Sequence, residues 1–221
     1  MKTCLIVGAS SAIGAGAAKL LVMKGWRCIL SSSQPEQEGF KHFIDFTQPA
    51  TITTAVQSIP LLNGVVICAG IEPQQSLTEM EGDHLNRMLA IHVTGPILLL
   101  QALERKMRAG SSVVLMSSVA AYRGSYDPAY AAAKGAVVAL TRSLARAWGP
   151  RVRVNALAPG LIYDTPVFKR MTEDFRQRHE NSTLLQRIAT VDDCSSAIEF
   201  LLTHKHLTGV ILHMNGGQYC A

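Results

Sequence analysis

The sequence predicts one α/β domain, built as a doubly wound parallel sheet with helices on both faces. Short apolar runs alternate along the chain with segments of helical length, which is the order expected for βαβ units. The runs are apolar on both faces, as strands are when helices cover both sides of a sheet. At 221 residues and 23.9 kDa, with 48% apolar residues, the chain has enough material for one such core.

The elements can be placed from local signals. Six strands are predicted, at residues 4–7, 27–30, 64–68, 112–117, 152–157 and 210–213. A first helix is predicted over 13–24 with Gly25 as its C-cap, and a second begins near Thr78 with Glu81 completing a capping box. A third begins after Asp127, a good N-cap that precedes Pro128, and runs to residue 148 before Gly149-Pro150. Right-handed crossovers then give the doubly wound order.

Charge and hydropathy exclude several classes of protein. Charged residues make up only 17% of the chain, so we expect part of the surface to be buried again in an oligomer. The net charge of +5 is not gathered into a basic stripe, which argues against a nucleic-acid partner. No stretch approaches the ~18 consecutive apolar residues of a membrane span, so no membrane partner is expected.

The cysteines and the N-terminus indicate a compartment. The five cysteines are scattered and show neither metal-ligand nor redox spacing, which favours reduced thiols and no metal site. The apolar stretch after Lys2 is too short for a signal peptide, and glycines and serines interrupt it. We therefore expect a cytoplasmic protein.

A turn of small residues follows the first predicted strand. Gly8 and Gly14 bound this turn, which leads directly into the first helix. Small side chains let backbone N–H groups approach a pyrophosphate, and the helix N-terminus adds partial positive charge. Because tight βα turns are generally rich in Gly and Ser, the turn alone fits a phosphate site or an ordinary connection.

A tyrosine and a lysine lie four residues apart early in the long predicted helix. This spacing places Tyr130 and Lys134 on one helix face, about 6 Å apart along the axis. A lysine cation next to a phenol lowers the pKa of the phenol, so we expect Tyr130 to exchange protons near neutral pH. Ser117 and Ser118 end a predicted strand at the sheet edge that binds ligands, which favours this reading over a surface tyrosine stacked on a lysine stem.

Taken in order, these motifs resemble the short-chain dehydrogenase/reductase family. The match runs from about residue 3 to residue 217. It comprises the 8–14 turn, Asp45-Phe46-Thr47, Cys68-Ala69-Gly70, Ser118, Tyr130 with Lys134, Asn155-Ala-Leu-Ala-Pro159-Gly160, Thr208-Gly209 and Asn215-Gly216-Gly217. Each motif is weak alone, but the ordered set is specific. The resemblance implies a Rossmann-type fold and an NAD(P)-dependent oxidoreductase.

The resemblance also implies a role for each matching residue. Tyr130 would pass a proton to or from the substrate oxygen, and Ser118 would hydrogen-bond that oxygen. Lys134 would hold the nicotinamide ribose and lower the pKa of Tyr130. Besides Tyr130 and Lys134, the implied cofactor contacts are Gly8, Ser10, Ser11, Ile13, Gly14, Ser32, Asp45, Phe46, Ala69, Gly70, Pro159, Gly160, Ile162 and Thr165.

Three positions depart from the family pattern. His92 stands where the family has an asparagine that holds a water of the proton relay. A histidine can bind such a water, with reduced or pH-shifted activity, or serve as an ordinary core residue. Cys68 replaces the asparagine of the Asn-Ala-Gly motif, and Ala12 replaces the central glycine of the turn.

The residues after the second strand indicate which nicotinamide cofactor is used. An acidic residue there would bind the ribose hydroxyls of NAD and repel the phosphate of NADP. This chain has Ser31-Ser32-Ser33, with Ser32 at the usual acidic position and Lys41 as the nearby cation. We therefore predict NADP(H), with NAD as the alternative.

Residues 163–187 follow the nicotinamide motif and are predicted to form a lid over the substrate. They mix large apolar side chains with basic ones, which also fits an ordinary amphipathic helix pair. Elsewhere, basic patches expected near the cleft, at Arg105, Lys106, Arg108 and Arg123, would suit an acidic acyl carrier protein as partner. The pattern is nearest to 3-oxoacyl-(acyl carrier protein) reductases, so we expect reduction of a small-molecule carbonyl, with a 3-oxoacyl thioester as a candidate.

Two other functions remain open at this point. One is an NAD-linked dehydrogenase of an alcohol or sugar. The other is a nucleotide-binding scaffold with little turnover, which His92 suggests and the Ser118, Tyr130 and Lys134 set argues against. Because family members associate through the helices around 85–107 and 131–148, we expect a homodimer or homotetramer.

Overall fold

The computed structural model describes residues 1–34 and 39–220, and a seven-stranded sheet forms its centre. The strands are parallel, in the order β3-β2-β1-β4-β5-β6-β7. From β1 the chain moves outward to β3, returns to β4 and moves outward to β7, so the predicted doubly wound single domain is confirmed. The strands are β1 (Thr3–Val7), β2 (Arg27–Ser32), β3 (His42–Phe43), β4 (Leu62–Ile67), β5 (Met107–Met116), β6 (Val152–Pro159) and β7 (Ile211–Met214).

Helices cover both faces of the sheet. They are α1 (Ala12–Met23), α2 (Pro49–Ser58), α3 (Gly82–Leu89), α4 (Gly95–Leu103), α5 (Ala120–Arg123), α6 (Pro128–Trp148), α7 (Pro166–Arg170), α8 (Glu173–Asn181) and α9 (Val191–Thr203). A π-helical turn, Ala90–Thr94, joins α3 to α4. Among the described residues, none of the helices combines the length and the hydropathy that a membrane crossing requires.

Alternate residues of β1 point into two different cores. Leu5 and Val7 join the core under α2, α4 and α6, whereas Cys4 and Ile6 join the core under α1 and α9. Because neighbouring side chains of a strand face opposite sides, a strand between two helical layers must be apolar at every position. This burial explains the continuous apolar runs in the sequence.

The six predicted strands are present, and two differences have physical causes. Strand β5 begins five residues before the predicted start, where its register with β4 shifts and Gly110 has a φ of +80°. No apolar run marks this irregular part. Strand β3 was not predicted, because its two residues, His42 and Phe43, pair only with β2 at the sheet edge.

The helix ends agree with the sequence at α1 and α6 but not at α3. Asp127 caps α6, which ends at residue 148 as predicted. The predicted helix start near Thr78 is wrong, because Ser76 and Glu79 form a capping box around a short 3₁₀ turn. Helix α3 begins only at residue 82, with Glu81 as its N-cap. Two overlapping polar motifs within six residues made these two starts hard to separate.

Candidate functional site

A cleft of about 710 Å³ opens at the carboxyl ends of the central strands. It lies where the chain leaves β1 towards one edge of the sheet and β4 towards the other, the point at which open α/β sheets bind ligands. The predicted contact residues that line it are Gly8, Ser10, Ser11, Asp45, Phe46, Ala69 and Gly70; they are joined by Ser33, Ile44, Thr47, Cys68, Ile71, Asp83, Asn86, Arg87, Ala90 and Ile91.

The turn after β1 requires glycine at two positions. Gly8 has a φ of +75°, and a Cβ on it would lie 2.5 Å from the backbone nitrogen of Ala69. A Cβ on Gly14 would lie 2.3 Å from the carbonyl oxygen of Gly8. Ser11 caps α1, since its hydroxyl accepts from the Gly14 N–H at 3.1 Å. Free N–H groups at a helix N-terminus beside a cleft of this size fit a dinucleotide pyrophosphate.

The rim of the cleft differs from the sequence prediction beside β2. Ser32 is only 1% exposed, and its hydroxyl accepts from the Gln34 N–H at 3.1 Å. Ser33 lines the cleft in its place. The strand runs two residues further than predicted, through Ser32, which moves the first rim position to Ser33.

Arg87 is a cation of this rim that sequence reasoning missed. It is exposed on α3 and lines the same cleft as Ser33, whereas Lys41 is not among the lining residues. No local signal links α3 to the end of β2, because the two elements meet only through the tertiary fold. Among the acidic residues of the cleft, Asp45 is already engaged by the Thr47 N–H at 2.9 Å.

Ser118, Tyr130 and Lys134 come together beyond the carboxyl end of β5. The hydroxyl group of Ser118 lies close enough to that of Tyr130 to affect the pKa of the phenol. Lys134 Nζ lies 5.5 Å from the centre of the Tyr130 ring and donates to the Met116 carbonyl at 2.9 Å. Ser117 instead turns inward and donates to the Lys134 carbonyl at 2.9 Å, so it supports the helix while Ser118 faces the tyrosine.

The pKa values of this group differ from the prediction. Burial raises the pKa of Tyr130 above its ordinary value, and the charges of Glu72 and Asp127 raise it further. The Ser118 hydroxyl lowers that pKa without compensating for burial. Burial also lowers the pKa of Lys134 to about 8. The predicted lowering of the Tyr130 pKa is therefore wrong for this arrangement, because burial outweighs any opposing effect and the net shift is upward.

His92 supports the loop that follows β4. It is 3% exposed, and its Nε2 pairs with the peptide of Ile71, either accepting from the N–H at 3.2 Å or donating to the carbonyl at 2.9 Å. Its ring meets the Tyr130 ring edge-on at 5.7 Å. Burial first, and then the charge of Lys134, lowers the pKa of His92. A Cβ on Gly70 would lie 2.8 Å from this ring, so only glycine fits there.

The predicted nicotinamide contacts follow β6. The Val119 N–H donates to the Pro159 carbonyl at 2.9 Å, which joins the residue after Ser118 to this segment. Thr165 is buried and caps α7, accepting from the Phe168 N–H at 3.3 Å and donating to the Ile162 carbonyl. Gly160 lines a separate cavity of about 100 Å³ beside the C-terminal turn rather than the large cleft.

The segment predicted to form a lid contains α7 and α8. A single bridge, Ile162 to Ala189, closes its base. On the other side, Arg170 forms an ion pair with Glu72 of the loop after β4. The two ends of residues 163–187 therefore lie next to each other, beyond the carboxyl end of β6.

The basic residues proposed for partner binding lie at opposite ends of the strands, some at the amino end of β5 and one beyond its carboxyl end. Arg105, Lys106 and Arg108 flank the start of β5, whereas Ser118 follows its end, about 30 Å away at the rise of a strand. The prediction that they flank the cleft is therefore wrong. Lys106 is used internally and donates to the carbonyls of Gln57 and Ile59. Arg123, in contrast, follows Ser118 in α5.

Comparison with known proteins gives one consistent result. Residues 8–218 match a family model described as enoyl-(acyl carrier protein) reductase. The chain is 33% identical to protein FixR of Bradyrhizobium diazoefficiens, covering 99% of this chain and 87% of that protein. It is 29% identical to the 3-oxoacyl-[acyl-carrier-protein] reductase FabG of Salmonella typhimurium, covering 99% and 97%. A solved short-chain dehydrogenase/reductase from Brucella melitensis superposes with a TM-score of 0.92 at 27% identity, covering 100% and 97%.

Proposed function

Because the chain belongs to the short-chain dehydrogenase/reductase family of oxidoreductases, we propose that it reduces a carbonyl group with NADP(H) and that Tyr130 donates the proton. The observation that carries this proposal is the convergence of Ser118, Tyr130 and Lys134, with Lys134 close to Cys68 of the large cleft. A buried cation is costly, so a lysine kept next to a tyrosine supports a role for the pair in proton transfer.

The residues divide the chemistry between them. A bound dinucleotide supplies the hydride. Tyr130, whose raised pKa keeps the phenol protonated at neutral pH, gives its proton to the substrate oxygen. Ser118 donates a hydrogen bond to the same oxygen and fixes its position. Lys134 holds the nicotinamide ribose, and its charge stabilises the phenolate that the transfer leaves.

The choice of NADP(H) follows from the rim of the cleft. Ser33 stands where an acidic residue would select NAD, and its hydroxyl can donate to a phosphate. Arg87 adds a positive charge to the same cleft. A 2′-phosphate would therefore meet a donor and a cation on this rim.

A 3-oxoacyl thioester is the proposed substrate class. The relative named as a 3-oxoacyl-[acyl-carrier-protein] reductase aligns over almost its full length. An acyl carrier protein would deliver such a substrate to the side of the molecule that carries Arg123 and residues 163–187. Arg105, Lys106 and Arg108, at the opposite edge, have no part in this docking.

A homodimer or homotetramer in the cytoplasm completes the proposal. The low content of charged residues supports association through α4 and α6, and the five free cysteines support a reducing compartment.

Parallel titration with NADPH and NADH, followed by cofactor fluorescence, tests the cofactor assignment. We expect tighter binding of NADPH by the wild-type protein. A Ser33→Asp variant should weaken NADPH and spare NADH, because a carboxylate repels the phosphate. Thr53→Asp, on the exposed side of α2, is the matched control. Tighter binding of NADH by the wild type would contradict the proposal.

Turnover is tested by NADPH oxidation with 3-oxoacyl thioesters and simple ketones. Consumption of NADPH with any of these carbonyls is the expected result. If NADPH binds but no carbonyl is reduced, the scaffold function is favoured instead.

A further inference from the structure

Asp127 is a buried carboxylate that joins three separate elements. It is 0% exposed. Its Oδ1 accepts from the Tyr130 N–H at 3.0 Å, which caps α6. Its Oδ2 accepts from the N–H groups of Gln74 and Gln75 at 2.9 and 3.3 Å, and lies 2.9 Å from Nε2 of His84 in α3. One side chain thus connects α6, α3 and the loop after β4.

The loop after β4 is held at neighbouring positions by the groups that surround the site. The Tyr126 hydroxyl donates to the Pro73 carbonyl at 2.7 Å, one residue before Gln74. Glu72 pairs with Arg170, and the Ile71 peptide pairs with His92, as described above. This loop therefore forms a wall between Tyr130 and residues 163–187, and Asp127 fixes its far end.

A helix cap alone does not need this arrangement. Serine, threonine or asparagine caps a helix about as well as aspartate, and none of them requires a buried ionic partner. A buried carboxylate is costly unless every lone pair is used, and His84 is itself buried. Burial raises the pKa of Asp127, but the hydrogen bonds from Gln74, Tyr130 and His84 hold it below its usual range, so the group stays charged.

We propose that Asp127 and His84 are positioning residues, which set the distance between Tyr130 and the wall formed by residues 71–75. The inference rests on the proposed function, since it assigns Tyr130 the proton. Asp127 connects the first turn of α6 to the loop, and His84 of α3 fixes the position of the carboxylate through its contact with Oδ2. Movement of either partner changes the place where the substrate oxygen meets the phenol.

Substitutions of His84 test this inference. His84→Leu fills the buried position with an apolar side chain and removes the partner of Asp127, whereas His84→Gln keeps a hydrogen-bond donor. Thr141→Val is the matched control, because Thr141 of α6 is buried like His84 but donates to the Val137 carbonyl of its own helix. We expect His84→Leu to lower kcat about tenfold or more, because small misplacements of reacting groups are costly. The affinity for NADPH should stay unchanged, and His84→Gln should recover most of the rate.

The rate measurement separates positioning from simple stability. If Thr141→Val lowers the melting temperature as much as His84→Leu but keeps its kcat, the loss in His84→Leu comes from geometry. If both variants lose rate in proportion to stability, or if His84→Leu keeps its full kcat, the inference is wrong.

Amide hydrogen exchange tests the same inference without turnover. In His84→Leu the amides of Gln74, Gln75 and Tyr130 should exchange faster together, because all three donate to Asp127, whereas Thr141→Val should leave them protected. Unchanged protection in His84→Leu would overturn the inference. Absence of carbonyl reduction by the wild type would instead count against the proposed function, and the exchange result would still decide whether the three elements form one unit.

Discussion

Lys134 is a buried cation whose charge depends on pH. It is 5% exposed, and burial lowers its pKa to about 8 from an unfolded value of about 10.4. Between these two pH values the unfolded chain binds more protons than the folded one. The contribution of Lys134 to the free energy of unfolding therefore rises with pH across this interval and is least favourable below pH 8.

The rate of carbonyl reduction should depend on pH in the opposite direction. We expect kcat/KM for NADPH, which reports groups of the free enzyme, to fall above about pH 8 as Lys134 loses its proton. Tyr130 stays protonated there, since its pKa is raised. The groups that face Tyr130 are Glu72, Asp127, Lys134 and the neutral His92.

Lys134→Arg provides the comparison, because an arginine stays charged at every pH used. Its rate will be lower, but the alkaline fall of kcat/KM should move to higher pH. A wild-type profile that stays flat to pH 10, or an unmoved profile in Lys134→Arg, would contradict this assignment.

The sequence predicted the neighbours of Tyr130 better than their electrostatics. Helical spacing is sufficient to bring Lys134 to the phenol. The sign of the Tyr130 pKa shift depends instead on burial and on Glu72, which lies in the loop after β4, far from Tyr130 in sequence. Spacing within one helix carries no information on either.

At the scale of elements, three basic side chains close the carboxyl ends of helices and turns. Lys106 donates to the carbonyls of Gln57 and Ile59 after α2, and Arg151 donates to those of Glu104 and Met107 after α4. Arg153 serves α9 in the same way. These carbonyls lie in the last turn of a helix or shortly after it, and the positive charge suits that end of the helix dipole. Part of the basic excess of the chain is thus structural.

Arg153 makes the most extensive of these contacts and provides a stability test. It donates to the carbonyls of Leu201 and Leu207 at 3.1 and 3.2 Å and to that of Leu202 at 2.7 Å. We expect Arg153→Met to lower the free energy of unfolding by about 2 kcal/mol, because partly buried carbonyls lose a charged donor. Urea denaturation measures the change, and Arg105→Met, on an exposed residue at the same edge, is the control. Equal stability of the two variants would contradict this account.

The elements also show where sequence signals fail. Buried strands such as β1 and β4 were predictable, because both faces must be apolar. The start of β5 and the two-residue β3 carry no such pattern. The capping box predicted at Thr78 and Glu81 is not formed, because Ser76 and Glu79 cap a 3₁₀ turn there and the helix begins only after Glu81.

At the scale of the whole molecule, the helical face formed by α4 and α6 leaves apolar atoms exposed. Ile97 on α4 is 43% exposed, and the outer side of α6 presents small residues that include Ala132 and Ala139. Small side chains let helices of two subunits approach closely. This surface is consistent with the proposed dimer or tetramer.

Light scattering of the purified protein tests the assembly. We expect a mass two or four times the 23.9 kDa of one chain. Ala139→Glu should reduce that mass, because a carboxylate in an apolar interface is costly. Val22→Glu, on the exposed side of α1 at the opposite face of the sheet, should not. A wild-type mass of one chain would contradict the proposal.

The overall topology was predictable from the alternation of strands and helices, whereas the rim of the cleft was not. Ser33 and Arg87 reach the same cleft from β2 and α3, which are far apart in sequence. Only the packing of α3 against the end of the sheet reveals this pair. Arg87, the second residue on which the NADP(H) assignment rests, could therefore be found only in the structure.

The central claim is that Tyr130 gives its proton to a carbonyl oxygen as hydride is transferred. Single-turnover oxidation of bound NADPH, followed by absorbance in the wild type and in Tyr130→Phe, tests it most directly. We predict a loss of about a thousandfold in the transfer rate with unchanged NADPH affinity, because only the hydroxyl is removed. An unchanged transfer rate in Tyr130→Phe would contradict the claim.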